Sequence, residues 1–194
     1  GTPAGEATLE ELASHRSDIP GVPSQDPSWF VLRGDILGLT PFTDSTDQLI
    51  EKTRTTEMGK RGEFAYSNLG ISLLGEALRR AAGAESWKSY VSERLFTPLG
   101  MEHTTLTAGQ SEIPDGTIHG VQANGRRGQS LSGTASNPAG AGVWSTPEDM
   151  TRYAQAILTG TVPGGAAPQE ARWPAEVLAG FQLPGERVGY TWYT

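Results

Sequence analysis

Apolar residues recur with helical spacing in four places along the chain and alternate with strand spacing almost nowhere. The longest periodic run places Leu69, Leu73, Leu74, Ala77, Leu78 and Ala81 on one face, and Gly83 stands where a helix-ending glycine belongs. A second run carries Trp87, Tyr90, Val91 and Leu95 from a start at Ser86, and Pro98 and Gly100 close it. A third begins at Thr146-Pro147-Glu148-Asp149, an N-cap followed by a first-position proline and two acids. Its predicted apolar face is Met150, Tyr153, Ala154, Ile157 and Leu158, and Gly160 ends it. The fourth runs from Ser45 to about Met58, with Gln48 completing a cap signal. Thr8 and Glu11 form a capping box that opens a short helix to about Ser14.

Between these runs the polar residues dominate. Ile19 to Ser24 must be a loop, because two prolines and a glycine interrupt it. Residues 25–44 have no clean period, and Trp29, Phe30, Val31 and Leu32 read as buried anchors in irregular structure; Trp29 fits a cleft wall as well as a core. Residues 102–142 predict long loops with one short hairpin, 161–171 a Gly/Pro/Ala loop, and Ala175 to Leu178 one further turn. A strand starts only in the run 187–194. The expected fold class is therefore mainly α with irregular loops, one helical lobe of a mixed α/β enzyme.

Composition narrows the function classes. The chain has 194 residues, 25 of them glycine and 13 proline, which suits a loop-rich globular body. A net charge of −7 argues against a nucleic-acid partner, since phosphate binding needs clustered cations. Without cysteine there is no disulfide, thiolate metal site or cysteine nucleophile. His15, His103 and His119 are scattered, with no zinc-binding spacing. No stretch approaches the ~20 apolar residues of a membrane-spanning helix.

The chemistry concentrates at Phe64-Ala65-Tyr66-Ser67-Asn68, where extended chain becomes helix. In extended chain, residues two apart point to one side, so Tyr66 and Asn68 can share a cleft while Ser67 turns away and caps the helix. Neighbouring cations and a helix N-terminus favour a phenolate, which can take a proton from a serine hydroxyl and return one to a leaving amine. A carboxamide offers a donor and an acceptor for a substrate carbonyl. The bland alternatives are a half-buried tyrosine at a helix start and a cap residue. His15 reads as a loop-packing residue, and Gly140 and Gly142 as backbone requirements.

Four ordered blocks resemble the serine β-lactamase-related family of class C β-lactamases, D-alanyl-D-alanine carboxypeptidases and related esterases. They are Thr8 to Asp18, similar to T-L-x-x-L-L-x-H-T-S-G; Phe64 to Arg80, around Tyr66-Ser67-Asn68; Phe96 to Thr105, similar to F-x-P-L-G-M-x-x-T; and Gly140 to Tyr153, similar to G-G-x-x-S-T-x-x-D-x-x-x-F. Arg16 and Asp18 replace the usual Thr and Gly of the first block. The resemblance implies a serine hydrolase working through an acyl-enzyme on β-lactam, D-Ala-D-Ala peptide or ester substrates. Tyr66 would be its general base and acid, and Asn68 would position substrate. The family's S-x-x-K nucleophile motif is absent, because residues 49, 57 and 85, three before each lysine, are Leu, Glu and Glu. The Lys/His-Thr/Ser-Gly motif is absent too. In the family these motifs flank the blocks found here, so the chain is expected to be a partial domain. Its helical lobe would cover residues 8–180 and a sheet strand would start in 187–194, with the rest of the sheet outside. The expected partners are a small-molecule or peptidoglycan-peptide substrate, with no cofactor, an extracytoplasmic location and a tendency to self-associate through uncovered apolar surface. The alternative is a non-catalytic binding module on the same scaffold.

Overall fold

The computed structural model describes residues 1–21, 32, 36–37, 44–107, 110–121, 125–127, 142–174, 187–190 and 192. Trp29 to Val31, Gly140 and Ala175 to Leu178 lie outside the described residues. After a 3-10 turn at Pro3–Glu6 come helices α1 (Leu9–Ala13), α2 (Thr46–Arg54), α3 (Asn68–Ala81), α4 (Trp87–Val91) and α5 (Pro147–Thr159). Strand β1 (Thr105–Leu106) pairs antiparallel with β2 (Val143–Trp144), and β3 (Trp173–Pro174) with β4 (Arg187–Val188).

Most helix starts follow from local chemistry. Thr8 and Glu11 close a reciprocal capping box, as do Ser45 and Gln48, and the Thr146 hydroxyl accepts the Asp149 N–H. Helix α2 stops at Arg54, four residues short of the expected Met58. Three threonines explain this: Thr53 hydrogen-bonds the Leu49 carbonyl, and Thr55 and Thr56 both take that of Lys52, so side chains compete for the helix's acceptors. The helix opened by Ser86 also changes character. After Val91 it widens into a single π-type turn, Ser92–Phe96, which buries Phe96 and leaves Leu95 half-buried beside it.

Two apolar clusters hold the described body together. Ala4, Leu12, Ile19, Leu49 and Leu69 form one, with Met58, Leu73 and Leu74 packed on it. Phe96, Met101 and Leu106 form the other, flanked by Trp87, Val91, Leu95 and Tyr153. Trp87 and Leu95 are thus rim rather than centre. Truncating Leu69, 2% exposed, to alanine costs about 2–5 kcal/mol.

The strands bordering the 102–142 region sit at its two ends, Thr105 opposite Trp144. Within it an antiparallel bridge joins Val121 to Arg127, in keeping with the short hairpin expected there. The predicted apolar face of α5 turns inward only in part: Tyr153 packs on the second cluster and Ile157 is half-buried. Met150 and Leu158 are exposed, Leu158 at 87%, while Asp149 and Ala156 are buried. A carboxylate sets the helix's rotation. Asp149 is wholly buried and accepts from the His103 N–H at 2.8 Å, the Thr104 hydroxyl at 2.8 Å and Arg152 Nη1 at 2.6 Å. Burial pushes its pKa up, but the Thr104, His103 and Arg152 donors outweigh that and hold it below the usual carboxylate range.

Candidate active site

Residues 11–21 and 59–69 run beside each other and fasten at almost every step. The Asp18 carboxylate accepts the Gly59 N–H. Arg61 forks onto Glu11, and the Arg61 hydrogen bond is the first cause of that carboxyl's lowered pKa, ahead of the opposing effect of burial. Arg16 and Gly62 exchange two bonds: the Gly62 N–H donates to the Arg16 carbonyl at 2.9 Å, and Arg16 Nη1 donates back at 2.7 Å. The Ala65 N–H donates to the His15 carbonyl at 2.8 Å, and the Asn68 N–H to that of Gly21 at 3.1 Å.

The two departures from the family pattern work inside this zipper. Asp18 has φ 61°, the left-handed region where glycine is at home, and short aspartate is among the few residues that tolerate it. Its side chain then binds the facing segment at Gly59, which glycine cannot do. Arg16 reaches past Gly62 to the Pro174 carbonyl at 3.1 Å and lies 5.5 Å from the Trp173 ring centroid. It joins the site to the β3–β4 pair.

The predicted site residues sit at the end of the zipper. Ser67 is 1% exposed and extended, with φ −136° and ψ 108°. Its hydroxyl donates to the Pro20 carbonyl and accepts the Gly70 N–H, both at 2.8 Å, capping α3. Its neighbours face the other way: Tyr66 is 51% exposed and Asn68 half-buried. Neither the phenol nor the carboxamide has a hydrogen-bond partner among the described residues.

His15 does more than pack a loop. It is 3% exposed, and Nδ1 accepts the Ser67 N–H at 3.1 Å. Its ring lies 4.6 Å from that of Tyr66, tilted by 36°, and meets the Phe64 edge at 5.9 Å. Burial pushes its pKa below the ordinary histidine value. The sequence marked the position as the histidine of the Thr8 to Asp18 block, and no local pattern signals a bond reaching 52 residues onward.

Elsewhere, an open hollow of about 340 Å³ lies between α2, α3 and α4, lined by Asp47, Glu76, Arg79, Arg80 and Trp87 among others. Arg79 and Arg80 both close on Glu76, and neither Tyr66 nor Asn68 borders the hollow. Among the described residues no group of three acidic or histidine side chains could hold a metal, and no helix is long and apolar enough to cross a membrane.

A helical body with a capped Tyr-Ser-Asn element, tied to the blocks on either side, defines the class: the β-lactamase-like fold. The beta-lactamase family's sequence profile matches residues 1–194, and the chain belongs to that family. It is 30% identical over 159 residues to the D-alanyl-D-alanine-carboxypeptidase/endopeptidase AmpH of Escherichia coli (strain K12), covering 82% of this chain and 37% of AmpH. A class C beta lactamase from Rhodobacter sphaeroides superposes over 100% of this chain and 50% of its own, at 22% identity and a TM-score of 0.69. A Beta-lactamase/D-alanine Carboxypeptidase from Yersinia pestis does so over 96% and 52%, at 25% identity and a TM-score of 0.63. The chain thus spans between about a third and a half of the length of these relatives.

Proposed function

We propose that this chain is part of a serine hydrolase that opens a β-lactam, D-Ala-D-Ala peptide or ester carbonyl through an acyl-enzyme. Tyr66 acts as general base and acid, and Asn68 positions the substrate. One observation supports the reading: a buried, capped Ser67 stands between an exposed phenol and a half-buried carboxamide, and neither has a hydrogen-bond partner among the described residues. In the acylation step a serine oxygen attacks the carbonyl carbon and its proton passes to the Tyr66 oxygen. The same proton then goes to the leaving nitrogen or oxygen as the tetrahedral intermediate collapses.

The serine and its lysine lie outside these 194 residues on this reading, as does the Lys/His-Thr/Ser-Gly motif. The lobe of residues 8–180 packs in the longer protein against a sheet, of which the described residues include the short strands β1 to β4. The exposed Met150 and Leu158 on α5 and Ile118 supply apolar surface for self-association of the isolated chain. We place the protein outside the cytoplasm on the family resemblance, with a small-molecule or peptidoglycan-peptide substrate.

The test compares two polypeptides with nitrocefin and p-nitrophenyl esters as substrates. The longer protein turns over at least one of them, and Tyr66→Phe lowers kcat by about 10²–10⁴-fold. The 194-residue chain alone is inert. Undiminished turnover in Tyr66→Phe overturns the assignment of Tyr66. A longer protein that also lacks a Ser-x-x-Lys, as this chain does, favours the second reading, a non-catalytic binding module.

A further inference from the structure

We infer that His15 is the positioning residue of this site: in its neutral form, with the proton on Nε2, it holds Tyr66 ready to react, and protonation of the ring releases it. His15 engages three successive residues. Its carbonyl accepts the Ala65 N–H at 2.8 Å, its ring lies against the ring of Tyr66, and Nδ1 accepts the Ser67 N–H at 3.1 Å. A backbone N–H can only donate, so Nδ1 must present its lone pair, and the tautomer follows without further assumption. A protonated ring would set N–H against N–H at that point. The backbone of His15 sits at φ 58°, an unfavoured region for a side chain of its size, and such a conformation persists where its surroundings impose it.

Among the described residues no charged group is recorded against the ring to hold the cationic form. On the same segment Arg16 turns to the Gly62 and Pro174 carbonyls, and Asp18 to the Gly59 amide. On α1, Glu11 is taken up by Arg61, and Glu10 accepts from the Tyr190 hydroxyl. From residues 64–67 the groups facing the ring are Phe64, the titratable Tyr66 and the Ser67 amide. Buried and without a counter-ion, the imidazole stays neutral until the pH falls below the ordinary histidine range. The reactive tyrosine is therefore gated by a second titrating group that never touches substrate.

The inference deepens the hydrolase reading but is tested apart from it. In the ¹⁵N-labelled 194-residue chain, a long-range proton–nitrogen spectrum should show Nδ1 of His15 bare and Nε2 protonated at neutral pH. On acidification the Ser67 amide and Tyr66 ring signals should move with the His15 midpoint. His15→Asn keeps an acceptor at the Nδ1 position and tolerates the backbone, so the Ser67 amide should stay bonded and stop titrating. A protonated Nδ1 at neutral pH, or Ser67 and Tyr66 signals that ignore the His15 titration, overturns the inference. In the longer protein, His15→Asn should lower kcat about tenfold or more with KM nearly unchanged, and remove one acid-side ionisation from the kcat profile. An unchanged profile with Tyr66-dependent turnover refutes His15 alone. Co-titration in a protein without any turnover leaves the positioning intact and refutes the hydrolase reading.

Discussion

The zipper of residues 11–21 with 59–69 and the junction around Asp149 solve the same problem in opposite ways. Each joins chain segments more than forty residues apart with polar groups out of water. The zipper spreads the work over many bonds, most of them to backbone, and ends in an exposed phenol. The Asp149 junction gathers three donors onto one carboxylate at 0% exposure and leaves no outward group. A distributed joint tolerates the loss of one member and can carry a reactive side chain at its edge. A concentrated joint fails when its centre is removed, and that makes it structural.

That contrast breaks if the two joints respond alike to substitution. Asp149→Ala should have the largest effect, leaving the His103 N–H, the Thr104 hydroxyl and Arg152 without their common acceptor. A fall in Tm of about 10 °C or more in thermal unfolding is expected; under about 3 °C would mean the junction is not concentrated. Acidification comes next and separates the joints by pH window. The folded-state pKa of His15 is lowered, so its stability is complete above about pH 6.5 and is lost as pH falls below that. The folded-state pKa of Asp149 is also lowered, so its contribution is lost only as pH falls below the ordinary carboxylate range, about 4. Denaturant unfolding across pH 8 to 3 should therefore weaken in two stages, and His15→Asn should erase the first. Arg16→Lys keeps the charge but not the fork that reaches both Gly62 and Pro174, and should lower Tm by about 2–4 °C. Smallest is Leu158→Gln on the outer face of α5, which should leave Tm within about 1 °C while reducing self-association in sizing chromatography.

Local helix starts could be read from sequence, whereas the pairing of distant segments in the zipper and at the junction could not. Thr8, Ser45, Ser67, Ser86 and Thr146 announce helix starts because capping is settled within three or four residues. The extended conformation and capping role of Ser67 were legible for the same reason, since both are settled by the residues beside it. The rotation of α5 was legible only in part, for Tyr153 and Ile157 turn inward as expected. The rule that apolar residues face inward placed Met150 and Leu158 in the core, but a carboxylate with three donors outbids them, and those donors come from residues 103–104 and the helix itself. His15 failed likewise, since its partner is distant and its acceptor role leaves no trace in neighbouring residues. Arg16 and Asp18 stood out as departures, yet only the facing segment explains what they gained.

The hydrogen bond from Arg16 to the Pro174 carbonyl spans 158 positions. A ribosome adding ~5–20 residues per second needs roughly 8–30 s between making the two ends. Through that interval the nascent segment around His15 lacks its final anchor. Chaperones and proteases have that long to find it, so the order of synthesis, and not only the finished contacts, shapes how much folded protein a cell obtains.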